Sequence, residues 1–194
     1  MKIYCPLKNS IITQGFGIEK TKPELIPLYN SIGLKAHNGF DYSAKDGQPI
    51  YFDVSCKGKV NYLSSDINLG YGIEILTQDK DGTFKHRYWH LKSMVVKVGQ
   101  EVESGNLIGY ADNTGKYTTG THLHRDLKRC VIIKNGVIET LNKDNGYFGA
   151  IDITPFYYPV FVLDYIKLIE GQISFLQKII DFWKEVFKLK NKEK

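Results

Sequence analysis

Apolar and polar positions alternate in short runs through the first 140 or so residues, and then the period changes. Pro49 to Val54, Lys59 to Leu63, Tyr71 to Thr77 and Phe84 to Leu91 read as strands, each rich in β-branched or aromatic residues and bounded by Gly, Ser or Asp. Asp79-Lys80-Asp81-Gly82 is a hairpin signal, and Asn135-Gly136 is a second one, between Cys130–Ile133 and Val137–Leu141. Residues 95–102 and 106–110 predict two further short strands around Glu103-Ser104-Gly105. Residues 18–36 are polar, proline-containing and aperiodic, which predicts a long loop. Many short strands at regular spacing make the fold mainly β, a sandwich or barrel-like antiparallel sheet.

After Pro155 and Pro159 apolar residues recur at steps of three and four. Ile166, Ile169, Ile173, Leu176, Ile180, Trp183 and Phe187 form a heptad seam, flanked by the stripe Phe175, Ile179, Phe182 and Val186. Residues 161–190 therefore predict one amphipathic helix, weakened at Gly171 by roughly 1 kcal/mol relative to alanine. Lysines at its end suit a helix C-terminus. Its apolar face is broader than a two-stranded seam needs. Three uses fit that face: packing on its own domain, self-association or docking on a larger assembly, and lying on a membrane surface. The chain divides into a domain over 1–150 and, over 151–194, a linker with this helix.

Composition narrows the classes. A chain of 194 residues can build one good core. The net charge of +5 suits an anionic partner such as a cell wall, and equally a solvated lysine-rich tail. No basic stripe interleaved with aromatics is present, which argues against nucleic acid. Cys5, Cys56 and Cys130 are odd in number and form no C-x-x-C pair, so they read as small buried hydrophobes rather than a disulfide framework. No apolar run reaches the ~18–20 residues of a spanning helix. The first residues lack the apolar run of a secretion signal, so delivery outside a cell would need lysis, a phage particle or another route.

The chemistry concentrates in Thr119 to Leu127, which reads as a strand. His122, His124 and Asp126 then share one face, with the two histidines about 6–7 Å apart. Both can reach one small volume. His37 and Asp41 are four residues apart, roughly 13 Å if extended. A common metal ion would demand a bend, cheapest at Gly39. His90 ends the run from Phe84, and His86 shares its strand face as a partly exposed structural histidine. A hydrolytic zinc site needs three protein ligands and an open fourth position. His37, Asp41 and one of His122 and His124 can supply the ligands; the other of that pair, with His90, can supply proton chemistry. The spacing leaves open which of the pair binds metal, and both could.

Taken together, His37-x-x-x-Asp41, Tyr88-Trp89-His90-Leu91 and His122-Leu123-His124 resemble the M23 family of zinc metallopeptidases, the lysostaphin and LytM-type peptidoglycan endopeptidases. Segments between the motifs match in order, including Ile12–Gly17, Asp46–Tyr51, Gly58–Val60, Gly70–Gly72, Val96–Gly109 and Thr118–His124, so the resemblance spans about residues 10–130. It implies an antiparallel β-sheet groove of the duplicated hybrid type. It implies one zinc ion per chain held by His37, Asp41 and His124, and a catalytic pair His90 and His122. It implies peptidoglycan as substrate, cut in a peptide stem or cross-bridge by an activated water. Tyr29, in the loop before the first histidine, stands where some relatives place a tyrosine near the oxyanion. Two features depart from the pattern. Arg125 follows the second histidine, where the family has an apolar residue, so that face is less buried or Arg125 meets a partner, such as the tail helix. Asp126 is placed to orient a histidine ring nitrogen. The appended helix lies outside the family's core and would suit a homo-oligomer or a larger assembly such as a phage particle. The alternative is a non-catalytic wall-binding or structural module of the same fold.

Overall fold

The computed structural model describes residues 1–190, with side chains to residue 184. Strands dominate it. The main sheet runs β2 (Ile12–Gln14), β3 (Phe40–Ser43), β10 (His122–Ile132), β7 (Gly82–Met94), β6 (Gly70–Asp79), β5 (Gly58–Asp66) and β8 (Glu101–Val102). Between β4 (Pro49–Tyr51) and β7 lies β9 (Leu107–Ala111), paired to both; β11 (Ile138–Thr140) and β12 (Ala150–Ile151) pair with β10. All pairings in this sheet are antiparallel. A small parallel sheet joins β1 (Ile3–Cys5) to β13 (Tyr157–Phe161), so the chain returns to its own start before the helix begins.

Local chemistry explains the turns. Asn135 and Gly136 both take positive φ, 67° and 75°, the conformation a tight hairpin needs, and Cys130 pairs with Thr140 across it. Gly82 closes the β6–β7 hairpin at φ 126°. Two expectations are corrected. The segment 18–36 is not an open loop. It folds into 3-10 turns at Ile18–Lys20 and Pro23–Leu25 and a short helix α1 (Ile26–Ser31), with Pro23 and Pro27 in first-turn positions where no N–H is missed. His86 is fully buried, not partly exposed.

Under β7 and β10 the apolar core, including Ile50, Phe52, Ile73, Ile75, Phe84, Leu91, Leu123 and Leu127, encloses one polar network. Arg125 is fully buried. Its Nε donates to Asp53 Oδ2 at 2.7 Å and its Nη2 to Asp53 Oδ1 at 3.0 Å, while its guanidinium stacks on Tyr88. The Tyr88 hydroxyl also donates to Asp53. The partner of Arg125 is therefore Asp53, not the tail helix. His86 Nδ1 accepts from Arg125 Nη2 at 3.0 Å, and its Nε2–H donates to Thr77 Oγ1 at 2.9 Å.

Burial, followed by the Arg125 charge, holds His86 well below the usual histidine range, so it folds neutral. Its contribution has a definite sign. Below the unfolded value of about 6.5 the unfolded chain takes up a proton that the folded chain refuses. Stability is thus present above that pH and falls beneath it, by about 1.4 kcal/mol per pH unit for one such group. Urea midpoints measured from pH 6.5 to 5 should fall, and His86→Gln, which can keep both hydrogen bonds, should make the fall shallower. An equal slope in the variant would refute this origin.

Helix α2 (Val162–Lys190) occupies the predicted span. Its first turns touch the β unit: Val162 is buried, Tyr165 stacks on Tyr4 at 4.5 Å, and Leu163 and Ile166 reach over Gly105, to within 2.7–2.9 Å of where a Cβ would stand. Beyond them Leu168, Ile173, Phe175, Leu176, Ile180 and Phe182 are exposed. The side chains of Val186 and Phe187 and all residues from 191 to 194 lie outside the described set. No helix among the described residues is long and apolar enough to cross a membrane.

Candidate active site

Three strands bring the motif residues together. Asp41 on β3 sits opposite His124 on β10, and His122 opposite Ser43. His37 precedes β3 and turns back over it. Gly39, between them, needs no unusual φ; it is glycine because a Cβ there would lie 2.4 Å from the Arg125 carbonyl and 2.9 Å from the His124 ring. Close approach, not a cheap bend, is what that position requires.

His37 Nε2, Asp41 Oδ1 and His124 Nδ1 form a triangle with sides of 3.0, 2.9 and 3.0 Å. The outer contacts orient these atoms, a hydrogen bond for His37 and an ion-pair contact for His124. His37 Nδ1–H donates to the Gly15 carbonyl at 2.8 Å, leaving Nε2 its lone pair. His124 Nε2 faces Asp126 Oδ2 at 3.7 Å, leaving Nδ1 for the triangle. Asp126 is itself buried and receives Arg87 Nε at 2.8 Å. Three electron-pair donors thus point at one spot, an arrangement that favours a cation at its centre. Ligand atoms around a tetrahedral ion at ~2.0–2.1 Å stand about 3.3 Å apart, so a shift of a few tenths of an ångström would seat one. The pKa directions agree. Although burial opposes both charged forms, Asp41 is held well below the usual range by His37 and His124, and His124 is raised to about 9 by Asp126 and Asp41. The site's field is one that attracts positive charge.

The other two histidines stand beside the triangle, with ring centres 4.7 Å apart. His122 Nδ1–H donates to the Gly120 carbonyl at 2.7 Å, with Thr118 Oγ1 3.3 Å away, and its Nε2 lies 3.6 Å from Asp41 Oδ1. His90 Nδ1–H donates to the Thr114 carbonyl at 2.7 Å. Both therefore turn an Nε2 lone pair towards the site. Burial, then the charges of His124 and His122, lower His90 to about 4, so it is neutral.

His90 reaches the cleft by a β-bulge. Tyr71 pairs with Leu91 and Gly72 with Trp89, which leaves His90 as an extra residue at φ 66°. His86 and Tyr88 face the core, Arg87 and Trp89 the cleft; without the bulge His90 would follow His86 inward. The two histidines thus do not share a face.

Tyr29 of α1 covers His37, with ring centres 5.8 Å apart. Its hydroxyl accepts from Gln14 Nε2 at 2.6 Å, leaving its own proton to donate into the cleft. Burial and the nearby Asp41 charge raise its pKa, so it stays a phenol. The cleft, about 380 Å³, has an apolar wall from Leu25, Leu28, Ile32 and Phe148 and a polar floor. Sequence reasoning missed Gln14, Gly15, Thr114, Arg87 and Lys128. Arg87 and Lys128 are recoverable only from the strand register, which sets Arg87 against Asp126.

A match to the family described as Peptidase family M23 covers residues 35–149. The chain belongs to this family. Peptidoglycan DD-endopeptidase ShyB of Vibrio cholerae is 30% identical over 136 residues, 69% of this chain and 28% of that protein. Glycyl-glycine endopeptidase ALE-1 of Staphylococcus capitis is 36% identical over 88 residues, 45% of this chain and 23% of that one. The M23 chain thus spans only about a quarter of the length of these relatives. Among solved structures it resembles the catalytic domain of lysostaphin from Staphylococcus simulans, with TM-score 0.55 and 25% identity over 76% of this chain and 92% of the other. It also resembles LytU, with TM-score 0.53 and 30% identity over 77% and 85%. The mainly β architecture with one C-terminal helix is that of these M23 domains with a helix appended.

Proposed function

We propose that this chain is a zinc-dependent endopeptidase that cuts peptide bonds of peptidoglycan, in the stem or the cross-bridge. The observation that carries this reading is the convergence of His37 Nε2, Asp41 Oδ1 and His124 Nδ1 beside two histidines that present free Nε2 atoms. His37, Asp41 and His124 are the proposed ligands of one zinc ion, and His90 and His122 the proposed catalytic pair. A zinc ion held there would activate water and polarise a carbonyl.

The chain's own groups supply the rest. With ring centres 4.7 Å apart, His90 and His122 each have Nδ1 held by a backbone carbonyl and keep Nε2 for the reaction. Such a pair accepts a proton from water through Nε2 and returns it to the departing amine. His122, 3.6 Å from Asp41 Oδ1, is the nearer to the ligand set and takes the role of base. The Tyr29 O–H donates to the carbonyl oxygen as charge develops on it. Asp126, steadied by Arg87, orients His124. The proposed site of action is the cell wall.

Purified protein should contain one zinc per chain by elemental analysis and should clear suspensions of sacculi. Chelator should abolish clearing and added zinc restore it. Neither zinc nor clearing would turn the reading to a non-catalytic wall-binding module.

The proposed division is a peptidase unit over 1–150 and, over 151–194, a linker with an assembly helix, the linker packing back through β12 and β13. The helix pairs with a second copy in antiparallel order. In that order Glu170 of one helix meets Lys184 of the other twice over, flanking Gln177 at the centre, whereas a parallel pair gains no opposite charges. Light scattering should report twice the 22.2 kDa chain mass. Glu170→Lys should weaken the dimer and added Lys184→Glu restore it. A single-chain mass at micromolar concentration would refute it.

A further inference from the structure

Two cations, Arg87 and Lys128, stand on the cleft floor with hydrogen-bond donors to spare. β10 directs His122, His124, Asp126 and Lys128 to one side, and Arg87 of β7 joins them opposite Asp126. Arg87 uses Nε on Asp126, and neither Nη1 nor Nη2 donates to a described residue. Its guanidinium is held over the Trp89 ring, 5.3 Å from the centroid. Lys128 Nζ donates once among the described residues, to the Phe148 carbonyl at 2.6 Å, which leaves two N–H groups with no described partner. Nearby, Lys85 meets Glu74 at 3.9 Å. Arg87 and Lys128 thus both line the cleft beside one carboxylate, Asp126, away from the ligand triangle. Lys128 is 8% exposed, and burial followed by the Arg87 charge pushes its pKa down to about 8. That is the behaviour of a cation short of a counter-ion.

The spacing suits a peptide. Along β10, Asp126 lies about 7 Å and Lys128 about 13 Å from His124. An extended peptide advances about 3.3–3.6 Å per residue, so these cations sit two to four residues from a bond held at the triangle. The open Nη1 and Nη2 of Arg87 form a fork that matches a carboxylate, and Lys128 adds a point charge.

We propose that Arg87 and Lys128 form a carboxylate subsite, through which this chain selects an anionic stem peptide over an uncharged glycine bridge. The inference rests on the endopeptidase reading and deepens it. An amidated stem peptide loses the interaction, and a glycine bridge never has it.

The zinc-loaded protein is given three synthetic substrates: a cross-linked stem-peptide dimer as free acid, the same dimer as carboxamide, and pentaglycine. The acid should be cleaved with a kcat/KM about tenfold above that of the amide. Arg87→Gln, which can keep the bond to Asp126, and Lys128→Met should each bring that ratio towards one. A ratio is unmoved by a general loss of activity, so a merely structural role for either residue would leave it intact. Equal rates on acid and amide, a preference retained in both variants, or cleavage of pentaglycine alone would overturn the subsite. If none is cleaved, the endopeptidase reading fails, and the subsite is judged separately by fluorescence anisotropy of the labelled dimers. Tighter binding of the acid, lost in the variants, supports it; equal binding overturns it.

Discussion

His122→Ala should lower the rate of wall-peptide cleavage by about 10²–10⁴-fold, the range for losing a positioned proton-transfer group, while the chain still retains one zinc. His124→Ala should lose the activity and the metal together. The contrast follows from geometry. His124 Nδ1 is one corner of the 2.9–3.0 Å triangle, whereas His122 Nε2 stands outside it, 3.6 Å from Asp41 Oδ1. Metal analysis beside initial rates on sacculi separates the roles. Zinc lost on replacing His122 and kept on replacing His124 would exchange them.

Asp53→Ala is expected to cost about 3–5 kcal/mol in folding stability, because it leaves the Arg125 charge buried without its carboxylate. Asp53 accepts two hydrogen bonds from Arg125 and one from Tyr88, all in a region closed to water. Adding Arg125→Met to Asp53→Ala should recover part of the loss, since no buried charge is then left without its counter-charge, though the Tyr88 hydroxyl and His86 Nδ1 lose their partners. Urea midpoints of the two variants decide. An Asp53→Ala midpoint close to wild type would mean that Arg125 finds another partner or water.

Much of this was legible in the residues. Period-2 runs and turn signals located most strands because a half-buried sheet demands alternation, and the heptad seam located the long helix. His37, Asp41, His90, His122 and His124 stand out as a set through their resemblance to the M23 motifs, whereas the spacing of His37 and Asp41 by itself says little. What stayed hidden depended on register and on single insertions. Nothing local says that Asp126 will face Arg87, or that Asp53 will meet Arg125 across 72 positions. The assignment of His86 and His90 to one face assumed an unbroken strand, which the bulge breaks. The segment 18–36 lacks apolar period because it makes 3-10 turns and a six-residue helix, too short to show one.

The bulge at His90 puts the two halves of β7 out of phase. Up to Trp89 the even-numbered residues face inward; immediately beyond it the inward residue is Leu91. The extra residue thus behaves like a frameshift in space, serving the core on either side while releasing one side chain to the cleft. A substitution at His90 removes one imidazole and leaves the frame intact. A deletion there removes the bulge instead: Leu91 then follows Trp89 directly, still inward and opposite Tyr71, and the pairing of Ser93 and Met94 with β9 is kept while the cleft loses its imidazole. The bulge is thus an addition the core does not need: Tyr88 and Leu91 are buried on either side of it, and what it adds is one side chain for the cleft.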